Sequence, residues 1–309
     1  MHIVSVVLNV SDTPCLPACL RSLGATGYPG MEIIVVRNGP FREGFESEAR
    51  LASDKVSEVI FTGLNGGYAA GNNAGIRRAL EKGADYVLLL NDDTEVAPDF
   101  VEILAGAALK EPGAGVLGPR IFYFSEPEKV WFSGARFDRD QCSIFTPGTG
   151  LPAAVTAKGE VTETDYVTGC ALFASRKMIE AVGLLDERFF LYWEDCDWGL
   201  RAAGAGFKSL VVPSAKVWHK ISVSAGGEES PMKAYHKTRS HLLFADMHAP
   251  KAKKTLLLKL ARDAAWLLFK SGAPGALRRA AAYLAGAAGY FAGSRGAGPD
   301  WLRGGGKGV

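Results

Sequence analysis

The stretch YVLLLNDDTEV, residues 86–96, decides the fold because an apolar run passes directly into a polar motif. Such a run, residues 86–90, is typical of a buried strand. Three similar runs occur earlier in the chain, at residues 3–8 (IVSVVL), 32–36 (EIIVV) and 58–61 (EVIF). Helical patterns alternate with these runs, at residues 16–25, 69–82 and 98–110. This alternation predicts an α/β fold with a mostly parallel sheet flanked by helices on both faces.

The second half of the chain has a different pattern. Short apolar runs at residues 116–123 and 130–133, followed by a Gly/Pro/Thr-rich stretch at 146–156, predict mixed sheet and loops. A strand-like segment at residues 165–174 precedes helices that we predict at 175–182 and 194–203. We therefore divide the chain into a main domain (1–250), a basic amphipathic helical extension (251–295) and a flexible tail (296–309).

The composition excludes several classes of protein. Apolar residues make up 48% of the 309 residues, which is ample for a folded core and argues against a disordered or fibrous chain. The five cysteines form no CxxC pair, so we expect free thiols and a cytoplasmic location. The sequence has neither a basic leader nor an uncharged apolar run of about 18 residues, which predicts neither secretion nor a membrane-spanning helix.

The charge is unevenly distributed along the chain. Residues 251–309 carry 11 Lys or Arg and two acids, a net charge of +9, whereas the first 250 residues carry 24 basic and 31 acidic residues, a net charge of −7. A basic extension with apolar helical stretches fits an anionic membrane surface better than nucleic acid. The alternative is a solvated helix pair that packs on the main domain, and the sequence does not separate the two.

Asn91, Asp92 and Asp93 directly follow the fourth apolar run. Carboxylates at the end of a buried strand are costly unless a partner compensates them. A divalent cation, Mg²⁺ or Mn²⁺, that bridges them to a diphosphate would meet that cost. The alternative is that Asp93 or Thr94 caps a following helix. His219, after a later apolar run, is either a ligand of the metal or phosphate or a packing residue.

A glycine- and asparagine-rich cluster, NGGYAAGNNAG at residues 65–75, opens the helix before that strand. Glycines let the backbone approach a ligand closely, and amides at a helix start suit a phosphate or sugar hydroxyls. The alternative is close packing between loop and helix.

A third cluster, FFLYWEDCDW at residues 189–198, places three carboxylates beside aromatic rings at the start of a helix. Proton acceptors and flat apolar faces together suit a sugar hydroxyl and its ring. Glu194, Asp195 and Asp197 cannot all face the same way. We expect one to act as a general base and another to cap the helix or bind an arginine such as Arg201. The alternative is that all three are favoured only by the helix dipole.

Taken in this order, the motifs resemble the family 2 glycosyltransferases, above all their bacterial rhamnosyltransferase-like branch. The resemblance covers about residues 3–245 and is carried by VVLN (6–9), NGGYAAGNNAGI (65–76), LLLNDDTEV (88–96), VTGCALFASRKMIEAVGLLDERFFLYWEDCDWGLRAAG (167–204), PSAKVWH (213–219) and YHKTRSHLLF (235–244). It implies a GT-A fold, which the C-terminal helical extension follows in this chain. It also implies an inverting transfer, in which an acceptor hydroxyl attacks the anomeric carbon as a nucleoside diphosphate leaves.

The resemblance also implies partners. The donor would be a nucleotide sugar, dTDP-rhamnose or a UDP-sugar, and the acceptor a glycan or lipid-linked hydroxyl in cell-surface polysaccharide synthesis. No nucleic acid is expected. We expect a cytoplasmic protein, and the membrane alternative that the charge pattern leaves open for residues 251–295 would add peripheral contact with the inner face of the plasma membrane.

Roles for single residues follow from the resemblance. Asp195 would be the general base with Glu194 beside it, and Asp93 the principal ligand of Mg²⁺ or Mn²⁺ together with His219 and Asn91. The predicted donor-binding residues are Asn9, Asn38, Asn65, Gly67, Tyr68, Asn72, Asn73, Asn91 and Asp92, and the predicted acceptor-binding residues are Trp193 and Gly169. The mixed sheet and loops that the pattern predicts past residue 112 would form an acceptor-side wall, and loops at 146–161 or after residue 219 would close over the site.

Two positions depart from the family pattern. Arg37 stands where many relatives have an aspartate that reads the nucleotide base, and an arginine cannot accept a proton from the base. Val10 stands where a tyrosine often follows the first strand. Two other functions stay open, a catalytically silent carbohydrate-binding or scaffold protein and a sugar nucleotidyltransferase. The first is disfavoured because Asp93, Asp195 and His219 are all present, and the second because residues 8–19 lack a Gly-rich, Lys/Arg-bearing loop.

Overall fold

A computed structural model describes residues 1–156, 159–221, 230–269 and 275–302 of the chain. Its strands are β1 (Ile3–Asn9), β2 (Met31–Arg37), β3 (Val56–Phe61), β4 (Tyr86–Asn91), β5 (Thr94–Val96), β6 (Ala114–Tyr123), β7 (Val130–Phe132), β8 (Arg136–Asp138), β9 (Ser143–Phe145), β10 (Thr162–Thr164), β11 (Ala171–Ser175) and β12 (Lys208–His219). The first four form a parallel sheet in the order β3-β2-β1-β4. All seven residues of β1 are buried, which is why its sequence is an almost continuous apolar run.

The sheet becomes mixed beyond β4. β11 lies antiparallel between β4 and β6, and β12 runs parallel to β6. The short strands β5 and β10 pair antiparallel with β12, and β7 pairs with β6. The change of pattern predicted beyond residue 112 is therefore confirmed. The strand-like segment predicted at 165–174 is a strand only from Ala171 onward.

The helices are α1 (Cys15–Gly24), α2 (Phe45–Ala52), α3 (Gly67–Glu81), α4 (Phe100–Lys110), α5 (Arg176–Val182), α6 (Glu194–Gly204), α7 (Pro231–His248), α8 (Lys253–Phe269) and α9 (Ala276–Phe291). The five helices predicted in the main domain are confirmed to within two residues at each end. α4 starts at Phe100, two residues later than predicted, so Pro98 lies just before the helix. α2 was not predicted because it is short and buries only Phe45 and Ala49.

Two apolar layers cover the sheet. One contains Leu20 of α1 and Phe100 of α4, and the other contains Ile76 of α3, Met178 of α5 and Trp198 of α6. Successive residues of β1 contribute to opposite layers, as alternating side chains of a strand must. The prediction of helices on both faces is confirmed.

The C-terminal helices form a third apolar cluster with the loop before α6. Leu242 and Phe244 of α7 and Leu256 of α8 pack there with Phe189 and Cys196. Leu302 is buried in a small cluster with Tyr235, whereas residues 303–309 of the predicted flexible tail lie outside the described residues. In the described part of the chain, no helix has the length and apolar character needed to cross a membrane.

Candidate active site

The carboxyl ends of the parallel strands meet at one edge of the sheet. β1, β2 and β4 end there at Asn9, Arg37 and Asn91, which lie in register across the three strands or one residue apart. Ligands of open α/β sheets bind outside this edge. The predicted polar motifs at the ends of these strands are therefore brought to one place.

The chain after β4 makes a tight turn and not a helix. Thr94 Oγ1 donates a hydrogen bond of 2.7 Å to the carbonyl of Asn91, and the chain continues into β5. The next helix begins only at Phe100. The alternative that Asp93 or Thr94 caps a helix is therefore excluded.

β5 brings Asp93 to His219. β5 pairs with the end of β12 so that Thr94 lies opposite His219, and Lys220 N donates to the carbonyl of Asp93 at 2.9 Å. Asp93 Oδ1 lies 3.2 Å from His219 Nε2, and both side chains are more than nine-tenths buried. A predicted pair separated by 126 residues of sequence is thus in direct contact.

This pair fits a divalent cation. Two ligand atoms about 2.1 Å from an octahedral cation lie roughly 3 Å apart, which is close to the separation of Asp93 Oδ1 and His219 Nε2. Among the described residues, Asp93 Oδ1 has no hydrogen-bond partner. No group of three or more His, Cys, Asp or Glu side chains suited to a metal occurs in the described part of the chain. Two protein ligands leave the remaining positions for phosphate oxygens and water, as is usual for Mg²⁺.

Asp92 faces β1 and the end of the site at Arg37, where the nucleotide base is expected. Its Oδ2 accepts a hydrogen bond of 2.6 Å from Asn9 Nδ2. Burial, and secondly the charge of Asp93, raise the pKa of the Asp92 carboxyl to about 7. Asn91 contributes backbone hydrogen bonds to the turn, and its backbone N donates to the carbonyl of Cys170 at 3.0 Å.

Arg37 is buried at this end of the site. Its Nη1 donates to Asn9 Oδ1 at 2.7 Å and lies 3.2 Å from Asp12 Oδ1. The guanidinium stacks over Phe45 at 5.4 Å from the ring centre. Asp12 also lies 3.2 Å from Arg42 Nε. The sequence reasoning did not single out Asp12, which places a carboxylate beside the position where the family aspartate is missing.

The glycines of the 65–75 cluster are explained by packing. A Cβ on Gly71 would lie 2.5 Å from Leu8 Cδ1, and one on Gly75 would lie 2.3 Å from Val6 Cγ1, so α3 can approach β1 only through glycine. Gly67, at φ +90°, leaves no room for a Cβ beside the carbonyl of Phe190. The packing alternative accounts for all three.

The asparagines of the same region hold loops in place. Asn38 Nδ2 donates to the carbonyl of Gly67 at 2.8 Å, and Asn65 Oδ1 accepts from Gly67 N at 2.9 Å. Asn73 Nδ2 donates to the Leu185 carbonyl at 2.9 Å and Asn73 Oδ1 accepts from Leu185 N at 3.1 Å, so Asn73 has a positioning role. Asn72 differs, because its Oδ1 is buried without a hydrogen-bond partner among the described residues. Asn72 is therefore the member of this group best placed for a donor hydroxyl.

Asp195 is held by backbone amides at the start of α6. Its Oδ2 accepts from Gly169 N at 2.9 Å and its Oδ1 from Cys196 N at 2.8 Å. The carbonyl of the same residue, Gly169, accepts a hydrogen bond of 2.5 Å from the Tyr68 hydroxyl. Burial raises the pKa of Asp195, while these hydrogen bonds oppose the rise. The predicted acceptor residue Gly169 is thus a direct partner of the predicted base.

Glu194 and Asp197 have other surroundings. Burial raises the pKa of Glu194 well above its usual value, and Glu194 Oε2 lacks a hydrogen-bond partner within the described ranges. Asp197 is fully buried, with Oδ2 bonded to Arg201 Nε at 2.8 Å and Oδ1 to His248 Nε2 at 2.8 Å. The expectation that one of these acids binds Arg201 is confirmed. His248 was not predicted, since it comes from α7, about 50 residues later.

The loop before α6 is strained. Tyr192 and Trp193 are consecutive non-glycine residues with φ of +70° and +75°, a conformation that costs free energy and is found mostly at functional sites. Trp193 stacks on His241 at 4.0 Å between ring centres and contacts Phe244. These contacts hold the predicted acceptor residue Trp193 beside Asp195.

A separate cavity of about 340 Å³ lies in the mixed half, lined by Gly134, Arg136, Leu151, Val155 and Thr162 among others. Its lining includes none of the predicted site residues. The proposed acceptor-side wall therefore stays a prediction, and the loops expected to close include residues 157–158 and 222–229, which lie outside the described residues.

Comparisons with known proteins agree with this geometry. Residues 3–179 match the family model described as glycosyl transferase family 2. The chain belongs to this family. The match contains the strand-end motifs around Asn9 and Asp93 and the glycine-rich cluster, whereas α6 and His219 lie beyond it.

Two curated relatives extend the similarity over most of the chain. The N-acetylglucosaminyl-diphospho-decaprenol L-rhamnosyltransferase of Mycobacterium tuberculosis is 28% identical over 266 residues, covering 79% of this chain and 84% of the relative. The dTDP-rhamnosyl transferase RfbF of Shigella flexneri is 27% identical, covering 71% and 72%. The predicted likeness to rhamnosyltransferases is confirmed.

Solved structures confirm the GT-A fold. The mannosyltransferase PcManGT from Pyrobaculum calidifontis, solved with GDP-Man and Mn²⁺, aligns with 94% of this chain and 87% of its own, at a TM-score of 0.57 and 16% identity. At this identity the likeness concerns the fold.

Proposed function

We propose that this family 2 glycosyltransferase transfers a sugar, with inversion and with the help of a divalent cation, from a nucleoside diphosphate to a hydroxyl of a glycan or lipid-linked acceptor. The acceptor belongs to cell-surface polysaccharide synthesis. One connection carries the proposal. The Gly169–Cys170 segment bonds Asp195 through Gly169 N and the peptide of Asn91 through the Cys170 carbonyl. These two bonds fix the proposed general base, Asp195, relative to the motif at the end of β4, residues 91–93.

Asp195 takes the proton of the acceptor hydroxyl as the new C–O bond forms at the anomeric carbon. The bond from that carbon to the diphosphate oxygen breaks, and its electron pair leaves with the nucleoside diphosphate. Asp93 and His219, with Asn91 beside them, would hold Mg²⁺ or Mn²⁺, which supplies a Lewis acid for the negative charge that develops on the leaving group. The raised pKa of Asp195 makes it a stronger base than an exposed aspartate.

The donor we propose is dTDP-rhamnose, with a UDP-sugar as the alternative. The name of the Shigella relative supports the first, and that of the Mycobacterium relative supports rhamnose and a lipid-linked acceptor. At the base end, Arg37 donates hydrogen bonds and is neutralised by Asp12. We also propose a cytoplasmic location, supported by five free cysteines.

A thermal-shift screen with Mn²⁺ and either dTDP, UDP or GDP tests the donor assignment, because a ligand of the native state raises apparent stability by mass action. We expect dTDP to raise the Tm by several degrees, and to do so only with the metal. A larger shift with GDP would contradict the donor class, and no shift with any nucleotide would contradict the proposed function.

A further inference from the structure

The outer face of α9 is an exposed apolar stripe. Leu277, Leu284 and Phe291 are 64%, 56% and 65% exposed, and with Ala281 and Ala288 they follow a spacing of three to four residues. This spacing places all five on one side of the helix. Large side chains grouped in this way usually mark an interaction site.

The outer face of α8 combines apolar and basic side chains. Leu258, Trp266 and Phe269 are exposed and alternate with the exposed Lys254 and Arg262 at helical spacing. Long basic side chains between apolar ones are typical of helices that lie in a membrane interface.

The opposite faces of both helices are fixed to the protein. Leu256 of α8 is buried in the cluster that includes Phe244 of α7. On α9, a Cβ at Gly286 would lie 2.6 Å from the carbonyl of Tyr235 of α7, so this helix packs closely through glycine. Lys253, at the start of α8, donates to the hydroxyl of Tyr290 near the end of α9, which makes the two helices antiparallel. Helices α8 and α9 therefore pack on the main domain with one face and expose the other.

The net positive charge of the α8–α9 hairpin favours an anionic partner. The described residues from 251 to 302 contain eight Lys or Arg and two acids, Asp263 and Asp300, and Asp263 lies 3.2 Å from Arg262. Two copies of the chain meeting through this face would bring like charges together. A surface that offers both negative head groups and an apolar interior has no such cost.

We propose that the outer face of the α8–α9 hairpin docks on an anionic lipid bilayer, with its Lys and Arg side chains on the head groups and its Leu, Trp and Phe side chains at the acyl boundary. The hairpin is connected to the candidate active site through α7. Ser240 Oγ of α7 bonds the Leu191 carbonyl at 2.9 Å, and His248 bonds Asp197 of α6. Docking would hold the acceptor side of the site near the membrane that carries a lipid-linked acceptor, and this last step rests on the proposed function.

Vesicle flotation tests the docking without reference to catalysis. The full chain is mixed with vesicles of phosphatidylcholine alone or with 30% phosphatidylglycerol, a composition of roughly the charge needed to attract a polybasic surface. The L284S/F291S variant removes two outer side chains of α9, and L51S/L109S removes two exposed leucines of the main domain as a matched control. Because all four positions are exposed, circular dichroism and the Tm should not change.

We expect the wild type and L51S/L109S to float with the anionic vesicles and to stay in solution with neutral ones. L284S/F291S should bind on the order of tenfold less. Equal flotation of the two variants, or binding without dependence on phosphatidylglycerol, would overturn the proposal. So would a dimer in solution that L284S/F291S dissociates while wild-type chains ignore the vesicles. Donor binding by thermal shift is unaffected in either case, so failure here leaves the proposed function standing.

Discussion

At the residue scale, three neighbouring acids at the head of α6 have separate tasks because their partners differ. Asp195 accepts two backbone hydrogen bonds, Asp197 is bonded to Arg201 and His248, and Glu194 has a carboxyl oxygen without a hydrogen-bond partner in the described part of the chain. The helix dipole favours all three but does not distinguish them. Their surroundings therefore decide which acid carries the chemistry.

Asp93→Asn should abolish the Mn²⁺-dependent thermal shift by the nucleoside diphosphate. Asp93 is buried, so loss of its charge should leave the metal-free Tm equal or slightly higher. Asp99→Asn, at an exposed carboxylate six residues later, is the control and should keep the whole shift. An undiminished shift in Asp93→Asn would remove Asp93 from the metal site.

Glu194→Gln should change the pH dependence of stability. Because burial raises the pKa of Glu194, the folded state binds its proton more tightly than the unfolded state, and wild-type stability falls as the pH rises from the unfolded pKa toward the folded one. The slope in that window is about 1.4 kcal/mol per pH unit for one proton. The variant lacks this loss, so its Tm relative to that of the wild type should rise as the pH increases above the unfolded pKa of a glutamate, which calorimetry at a series of pH values measures. A constant difference would contradict the raised pKa of this buried acid.

Much of the residue-level site was accessible from sequence, since Asn9, Asp93, Asp195 and His219 lie within recognisable motifs. The contacts of Arg37 with Asp12 were not, because no motif contains both. Pairing of Asp197 with His248 depends on how α7 packs on α6, which local sequence does not encode.

At the element scale, the strands and helices of the main domain follow from hydrophobic periodicity, because each buries one face or both. Most elements that periodicity missed are short, and the exception is α7, which buries polar residues such as His236 and Arg239 as well as the apolar Phe244. β5 has three residues and is defined by its pairing with β12, so only tertiary structure distinguishes it from a helix cap. The glycine-rich opening of α3 was read correctly as a helix start, but its reason is packing against β1.

Gly75→Ala and Gly106→Ala should have opposite effects on stability. A Cβ on Gly75 would meet Val6 Cγ1 at 2.3 Å inside the core, which should cost roughly 1–3 kcal/mol of unfolding free energy. Gly106 of α4 has no atom within 4 Å of its Cβ position, so alanine there should stabilise by about 0.5–1 kcal/mol. Urea unfolding of both variants checks this. Equal effects would mean that α3 does not approach β1 as described.

At the scale of the whole molecule, the charge asymmetry was evident from composition, but its arrangement was not. The sequence left membrane contact and packing on the domain as alternatives for residues 251–295. α8 and α9 bury one face against α7 and expose the other, so the packed face orients the exposed one. Which side chains fall on which face depends on α7, and composition carries no information about that.

We infer that Asp195 is the base of a glycosyl transfer whose donor is held at the edge of the sheet near Asp93. Wild type, Asp195→Asn and the exposed control Asp54→Asn are compared in two assays. One measures nucleotide-sugar binding, and the other measures sugar transfer to a lipid-linked acceptor. We predict unchanged donor binding in all three proteins, and transfer reduced by roughly 10²–10⁴ only in Asp195→Asn. Near-normal transfer by Asp195→Asn, with donor still bound, would exclude Asp195 as the base.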